Sequence, residues 1–194
     1  MVTVGESRTA DEPVLRSGPG SRTFPSGQTV GMDTIDVVIE IPRGSRNKYE
    51  IDHETGRIHL DRRLFSATTY PTEYGFIPDT LSEDGDPLDV LVLTEDPTFP
   101  GCWIHVRPVG VLWMTDDAGR DAKILCVHHR EPRWQDVTDI DHIPSETLSE
   151  IRHFFSIYKD LEPGKFSDVG DFQGRDAAWD EIRASLARYV PGDH

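Results

Sequence analysis

The sequence is short of cysteine and of positive charge, and it has no long apolar run. Cys102 and Cys126 are its only cysteines in 194 residues, too few for a disulfide framework. No stretch approaches the roughly 20 apolar residues of a membrane-spanning helix, and no N-terminal segment has the apolar core of a signal peptide. A reduced, cytoplasmic protein with no membrane partner is therefore expected. Lysine and arginine number 20 against 35 aspartates and glutamates, a net charge of −15. That balance disfavours nucleic acid as a general partner, and an anionic substrate would need bound cations first. The phosphate-cradling glycine loops GxxxxGK[ST] and GxGxxG do not occur in the patterned region, which argues against a nucleotide-binding α/β fold.

What is present suits one domain with a tail. Residues 1–31 are rich in Gly, Ser, Thr and Pro, as in Arg16-Ser17-Gly18-Pro19-Gly20-Ser21, and are expected to be disordered. They carry as many acidic as basic residues, so the negative charge belongs to residues 32–194. From Ile35 the pattern alternates, with Ile35, Val37, Ile39 and Ile41 on one face, as in a half-buried strand. Lys48 to Ile51 and Arg57 to Leu60 flank a turn at Asp52 to Gly56 and predict a hairpin. Leu88 to Leu93, Trp103 to Met114 and Lys123 to Val127 are further strands. Two helices follow. The first starts at Pro144-Ser145 and carries Leu148, Ile151, Phe154, Phe155 and Tyr158 on one stripe. The second carries Trp179, Ile182, Leu186 and Tyr189, with Asp176 as the expected N-cap. The predicted class is α+β, a curled antiparallel sheet or small barrel with helices packed outside.

The densest chemistry is Asp84-Gly85-Asp86-Pro87-Leu88-Asp89. Three carboxylates at i, i+2 and i+5 around Gly85 and Pro87 cannot share a helix face; they belong to a bent loop entering a strand. Such a cluster is either a metal site or a solvated turn, because crowded carboxylates are costly without cations. An EF-hand is a poor fit, since its glycine position holds Asp89 and Pro87 sits mid-loop, although Glu95 falls at the closing position. An aspartyl-phosphate enzyme would need an apolar strand before the pair, where Leu81-Ser82-Glu83 stands. The all-oxygen donor set suits Mg²⁺ or Mn²⁺ over Zn²⁺. His128 and His129, adjacent on a strand, cannot easily share an ion. His53 is read as part of a solvated turn, with a place beside the site as the alternative. The two cysteines are read as inert core thiols, and Trp134 as packing for a loop.

The stretch Asp84 to Val90 resembles the signature of the family I soluble inorganic pyrophosphatases of bacterial type. The resemblance runs from about Met32 to the C-terminus through Val38-Ile39-Glu40-Ile41-Pro42, Lys48-Tyr49-Glu50, Leu60-Asp61-Arg62, Tyr70-Pro71 with Tyr74-Gly75, Arg107-Pro108-Val109-Gly110-Val111, Met114-Thr115-Asp116 with Asp121-Ala122-Lys123, and Tyr158-Lys159-Asp160. It implies a distorted five-stranded, OB-like barrel with two flanking helices, Mg²⁺-dependent hydrolysis of pyrophosphate without a phosphoenzyme, several metal ions per site with Mn²⁺ as a possible substitute, and a homohexamer. On the same resemblance Asp84, Asp89 and Asp121 look like ligands of the water-activating metals. Asp116 joins Asp121 at a substrate-bound metal, and Glu40 and Glu50 look like further metal or metal-water ligands. Asp86 looks like the proton acceptor. Lys48, Arg62, Lys123, Tyr158 and Lys159 look like phosphate binders, with Tyr74 beside them. The competing class is a non-enzymatic small β-barrel binding module, which would require a basic, aromatic groove.

Overall fold

The computed structural model describes residues 33–191 except Glu54 and Ala118, together with the backbone of two short strands before them, β1 (Arg22–Thr23) and β2 (Thr29–Val30), which pair antiparallel. The expectation for residues 1–31 otherwise lies outside the described residues.

Five strands close on themselves. They are β3 (Ile35–Ile41), β6 (Glu73–Phe76), β7 (Asp89–Leu93), β9 (Gly119–His128) and β8 (Trp103–Asp116), each hydrogen-bonded to the next and β8 again to β3. The hairpin of β4 (Asn47–Ile51) and β5 (Ile58–Arg63) forms a separate pair. A strand not predicted from the sequence, β10 (Ser167–Gly174), adds to the outer edge of β8. The ring is also not wholly antiparallel. Strands β7 and β9 run parallel, Asp89 opposite Lys123, because the long β8 carries the chain back between them.

Strand periodicity divides the core in two. Along β7, Val90 and Val92 face one cluster and Leu91 and Leu93 the other; along β9, Ile124 and Cys126 oppose Leu125 and Val127 in the same way. The first cluster is sealed by α2 (Arg175–Arg188) through Ala178, Trp179 and Ile182. The second is sealed by α1 (Ser145–Ile157) through Ile151, Phe154 and Phe155. The predicted helices are thus in place, but Asp176 is not the cap. It lies one residue inside α2, and Gly174 caps without a side-chain bond, because β10 runs directly into the helix. Cys126 is fully buried in the first cluster, and Cys102, just before β8, is half-buried and packs against the edge of the same cluster.

The glycine after Tyr74 has a specific task. A Cβ on Gly75 would collide with the Val38 carbonyl of β3, so only glycine lets β6 approach β3 closely enough to pair. That pairing sets Tyr74 opposite Leu91 of β7 and beside the strand that begins with Asp89.

Candidate active site

All thirteen residues singled out in the sequence line one cleft of about 610 Å³. They arrive from separate elements: Glu40 from β3, Lys48 and Glu50 from β4, Arg62 from β5, Tyr74 from β6, Asp84 and Asp86 from the loop before β7, Asp89 from β7, Asp116 from β8, Asp121 and Lys123 from β9, and Tyr158 and Lys159 just beyond α1. The period-2 geometry of a strand puts Lys48 and Glu50 on one face, and their side chains meet at 2.6 Å. The same spacing joins Asp121 and Lys123.

Lys123 is the electrostatic centre. Its side chain is 2% exposed, and its Nζ donates to Asp89 at 2.7 Å and to both oxygens of Asp121 at 2.9 and 3.0 Å. Burial works against its charge, yet Asp89 and Asp121 hold its pKa well above the ordinary lysine value. The Tyr74 hydroxyl donates to Asp89 at 2.5 Å, and burial pushes that phenol up. At the other end of the cleft Lys159 donates to Asp116 at 2.7 Å. Burial opposes its charge, while Tyr158 and Asp116 raise its pKa.

Three carboxyls are held above their usual range, each chiefly by burial. Glu40 is pushed up to about 7 despite accepting the Ile51 N–H at 2.8 Å; Asp84 and Asp121 are also raised. Burial of these carboxyls outweighs the compensation offered by the protein's own cations. The cleft is lined by nine carboxylates against five lysines and arginines.

Other residues in and beside the cleft were given no role in the sequence reading. Glu162, 9% exposed, grips Arg62 through Nε at 3.2 Å and Nη2 at 3.1 Å, which fixes the plane of the guanidinium. Asp61 pairs with the same guanidinium and lies 3.7 Å from Lys48. Asp117 bridges Lys159 at 3.8 Å and Lys165. Tyr70 packs edge-on to Tyr74. His53 is an exposed turn residue, as read, and it also takes the alternative place beside the site, 4.8 Å from the Phe76 ring and lining the cleft. Of the two histidines set aside, His129 packs against His105 at 5.3 Å, away from this cleft.

The inorganic pyrophosphatase family profile matches residues 37–190. The chain belongs to that family. It is 57% identical over 163 residues to an inorganic pyrophosphatase of Leifsonia xyli, covering 84% of this chain and all of the relative. It is 58% identical over 154 residues to one from Streptomyces coelicolor, covering 79% and 94%. The crystal structure of inorganic pyrophosphatase from Thermus thermophilus superposes with a TM-score of 0.80 at 46% identity, covering 90% of this chain and 98% of that one. In this family a divalent metal cofactor is general, and the donor set suits one: Glu40, Glu50, Asp84, Asp89, Asp116 and Asp121 offer hard carboxylate oxygens, several of them short of compensating charge. Among the described residues no three carboxylate, histidine or cysteine groups converge as a ready cage. Asp89 and Asp121 are turned toward Lys123, Asp116 toward Lys159 and Glu50 toward Lys48.

Proposed function

We propose that the protein hydrolyses inorganic pyrophosphate to two orthophosphates, with Mg²⁺ as the working metal and Mn²⁺ as a substitute. The observation that carries this reading is the cleft itself, in which a carboxylate cluster and a separate set of cations face the same space within a pyrophosphatase fold. An oligonucleotide-binding module would need a basic, aromatic groove, and nine carboxylates are its opposite.

In this proposal Asp84, Asp89 and Asp121 would hold divalent ions that activate the attacking water, Asp116 with Asp121 would hold one for the substrate, and Glu40 and Glu50 would ligate directly or through water. Bound there, divalent ions supply a lowered water pKa and neutralisation of phosphoryl oxygens. Lys48, Arg62, Lys123, Tyr158 and Lys159 bind the two phosphoryl groups, with Tyr74 holding Asp89 and Lys123 in place. Glu162 holds the Nε and Nη2 edge of Arg62 and Asp61 its Nη1, which fixes the guanidinium in the cleft. Asp86 accepts the proton of the attacking water. One P–O bond forms from that water as the bridging P–O bond breaks, so one water and one pyrophosphate become two orthophosphates. No side chain need act as nucleophile.

A cytoplasmic homohexamer belongs to the same proposal. Trp103 and Phe99, 64% and 65% exposed, leave apolar surface that self-association would cover; sedimentation velocity tests the assembly size. Among the described residues no helix is long and apolar enough to cross a membrane. Phosphate release from pyrophosphate with Mg²⁺, abolished by EDTA, tests the activity. No release with either Mg²⁺ or Mn²⁺ would overturn it.

A further inference from the structure

The loop that carries Asp84 and Asp86 is crowded with like charge, and something outside it must keep it in place. Its base is tied locally: Ile77 N–H donates to the Leu88 carbonyl at 2.9 Å, and the Thr80 hydroxyl bridges the Ile77 carbonyl at 2.5 Å and the Leu88 N–H at 2.9 Å. Its tip is closed by Ser82 N–H to the Asp86 carbonyl at 2.8 Å. Between base and tip lies Leu81, whose two backbone groups both go to the last turn of α2. Its N–H donates to the Ser185 carbonyl at 3.0 Å, and its carbonyl accepts from Arg188 Nη1 at 2.8 Å. The same guanidinium reaches the Ser185 hydroxyl at 3.0 Å and Glu181 at 3.0 Å. Ser185 is fully buried and Glu181 nearly so.

This arrangement also completes the helix end. The Ser185 carbonyl takes the Leu81 N–H at 3.0 Å beside the Tyr189 N–H at 3.3 Å, and a cation in the last turn complements the helix dipole. Two residues before Leu81, Asp79 holds a left-handed backbone conformation with φ of 59°, and its side chain bonds the Tyr189 hydroxyl just past α2. The helix is itself fixed to the core by Trp179 and Ile182.

We propose that Arg188 is a positioning residue: through Leu81 it locks the acidic loop to α2 and so sets where Asp84 and Asp86 stand in the cleft. The proposal rests on the functional reading of those two aspartates. A guanidinium is required because one planar fork must serve the Leu81 carbonyl, Ser185 and Glu181 together. Loosening the loop leaves the Lys48, Arg62 and Lys159 side of the cleft untouched.

The test combines amide hydrogen exchange on the metal-free protein with steady-state kinetics. In Arg188→Ala, the Leu81 and Ser82 amides are expected to exchange about tenfold faster, with the β7 and β9 amides unchanged. The kcat is expected to fall about ten- to a hundredfold, the Mg²⁺ activation midpoint to rise, and KM for pyrophosphate to stay within about twofold of its original value. Glu181→Gln should move the same quantities less, the double variant should be no worse than Arg188→Ala, and Arg188→Lys should recover part of the loss. Unchanged exchange at Leu81 and Ser82 with an unchanged kcat would overturn the proposal, as would faster exchange spread evenly over the ring. If the unaltered protein does not hydrolyse pyrophosphate, the function fails, and the exchange comparison still judges the lock.

Discussion

Lys123→Met removes the one ammonium shared by Asp89 and Asp121 while keeping most of the side-chain volume. In the metal-free protein Asp121, only 9% exposed, is left beside Asp89 without a cation. Breaking a buried pair from one side costs about 3–5 kcal/mol, but a carboxylate has an escape, which is to take up a proton. For an ordinary aspartate that costs about 4 kcal/mol at pH 7 and about 1.5 kcal/mol at pH 5, and the raised position of Asp121, due first to burial, makes the escape easier still. The expected loss of stability in EDTA is therefore about 3–4 kcal/mol at pH 7, shrinking to half or less at pH 5. Saturating Mg²⁺ should recover part of it, because the freed carboxylates can then take a divalent cation. Urea denaturation at the two pH values, with and without Mg²⁺, measures all three quantities. A loss below about 1 kcal/mol at pH 7, or one independent of pH, would refute this account of Lys123.

Glu40 gives a second pH signature. Its folded-state carboxyl sits at about 7, above the ordinary glutamate range, so its contribution to stability is full below about pH 4.5 and is lost as pH rises through 7. In EDTA the unaltered protein should lose about 3 kcal/mol relative to Glu40→Gln across that window; parallel stability curves for the two proteins would count against it. Asp89→Ala removes a proposed metal ligand and a partner of Lys123. It should raise the Mg²⁺ concentration needed for half-maximal activity about tenfold or more, and an unchanged requirement would exclude Asp89 as a ligand.

The acidic loop Asp84 to Asp89 was legible as a cluster, the other candidate site residues came from the resemblance to the pyrophosphatase family, and local spacing supports them where they sit on strands. Lys48 with Glu50 and Asp121 with Lys123 could be paired from an interval of two, and the helices were marked by their aromatic stripes. What escaped was set by contacts between distant segments. Glu162 acts through Arg62, 100 residues away, and Lys159 through Asp116, 43 away; no local pattern carries either pairing. Strand β10 was hidden because its residues are half-exposed and polar, so it lacks the apolar alternation of a core strand. Asp176 looked like a cap because the strand that ends at Gly174 could not be seen. His53 is an exposed turn residue, as read, but a turn sequence says nothing of the Phe76 ring against which it packs at the cleft.

The division of labour within Asp84, Asp86 and Asp89 is the core of the account, and Asp86→Asn tests it most directly. The amide keeps the size and the hydrogen-bonding reach of the side chain but cannot accept the water's proton at neutral pH. Phosphate release at saturating Mg²⁺ and pyrophosphate should fall by about two orders of magnitude or more, with the fold intact and metal binding, measured by calorimetry without substrate, largely retained. Turnover within a few-fold of the unaltered protein would contradict Asp86 as the proton acceptor.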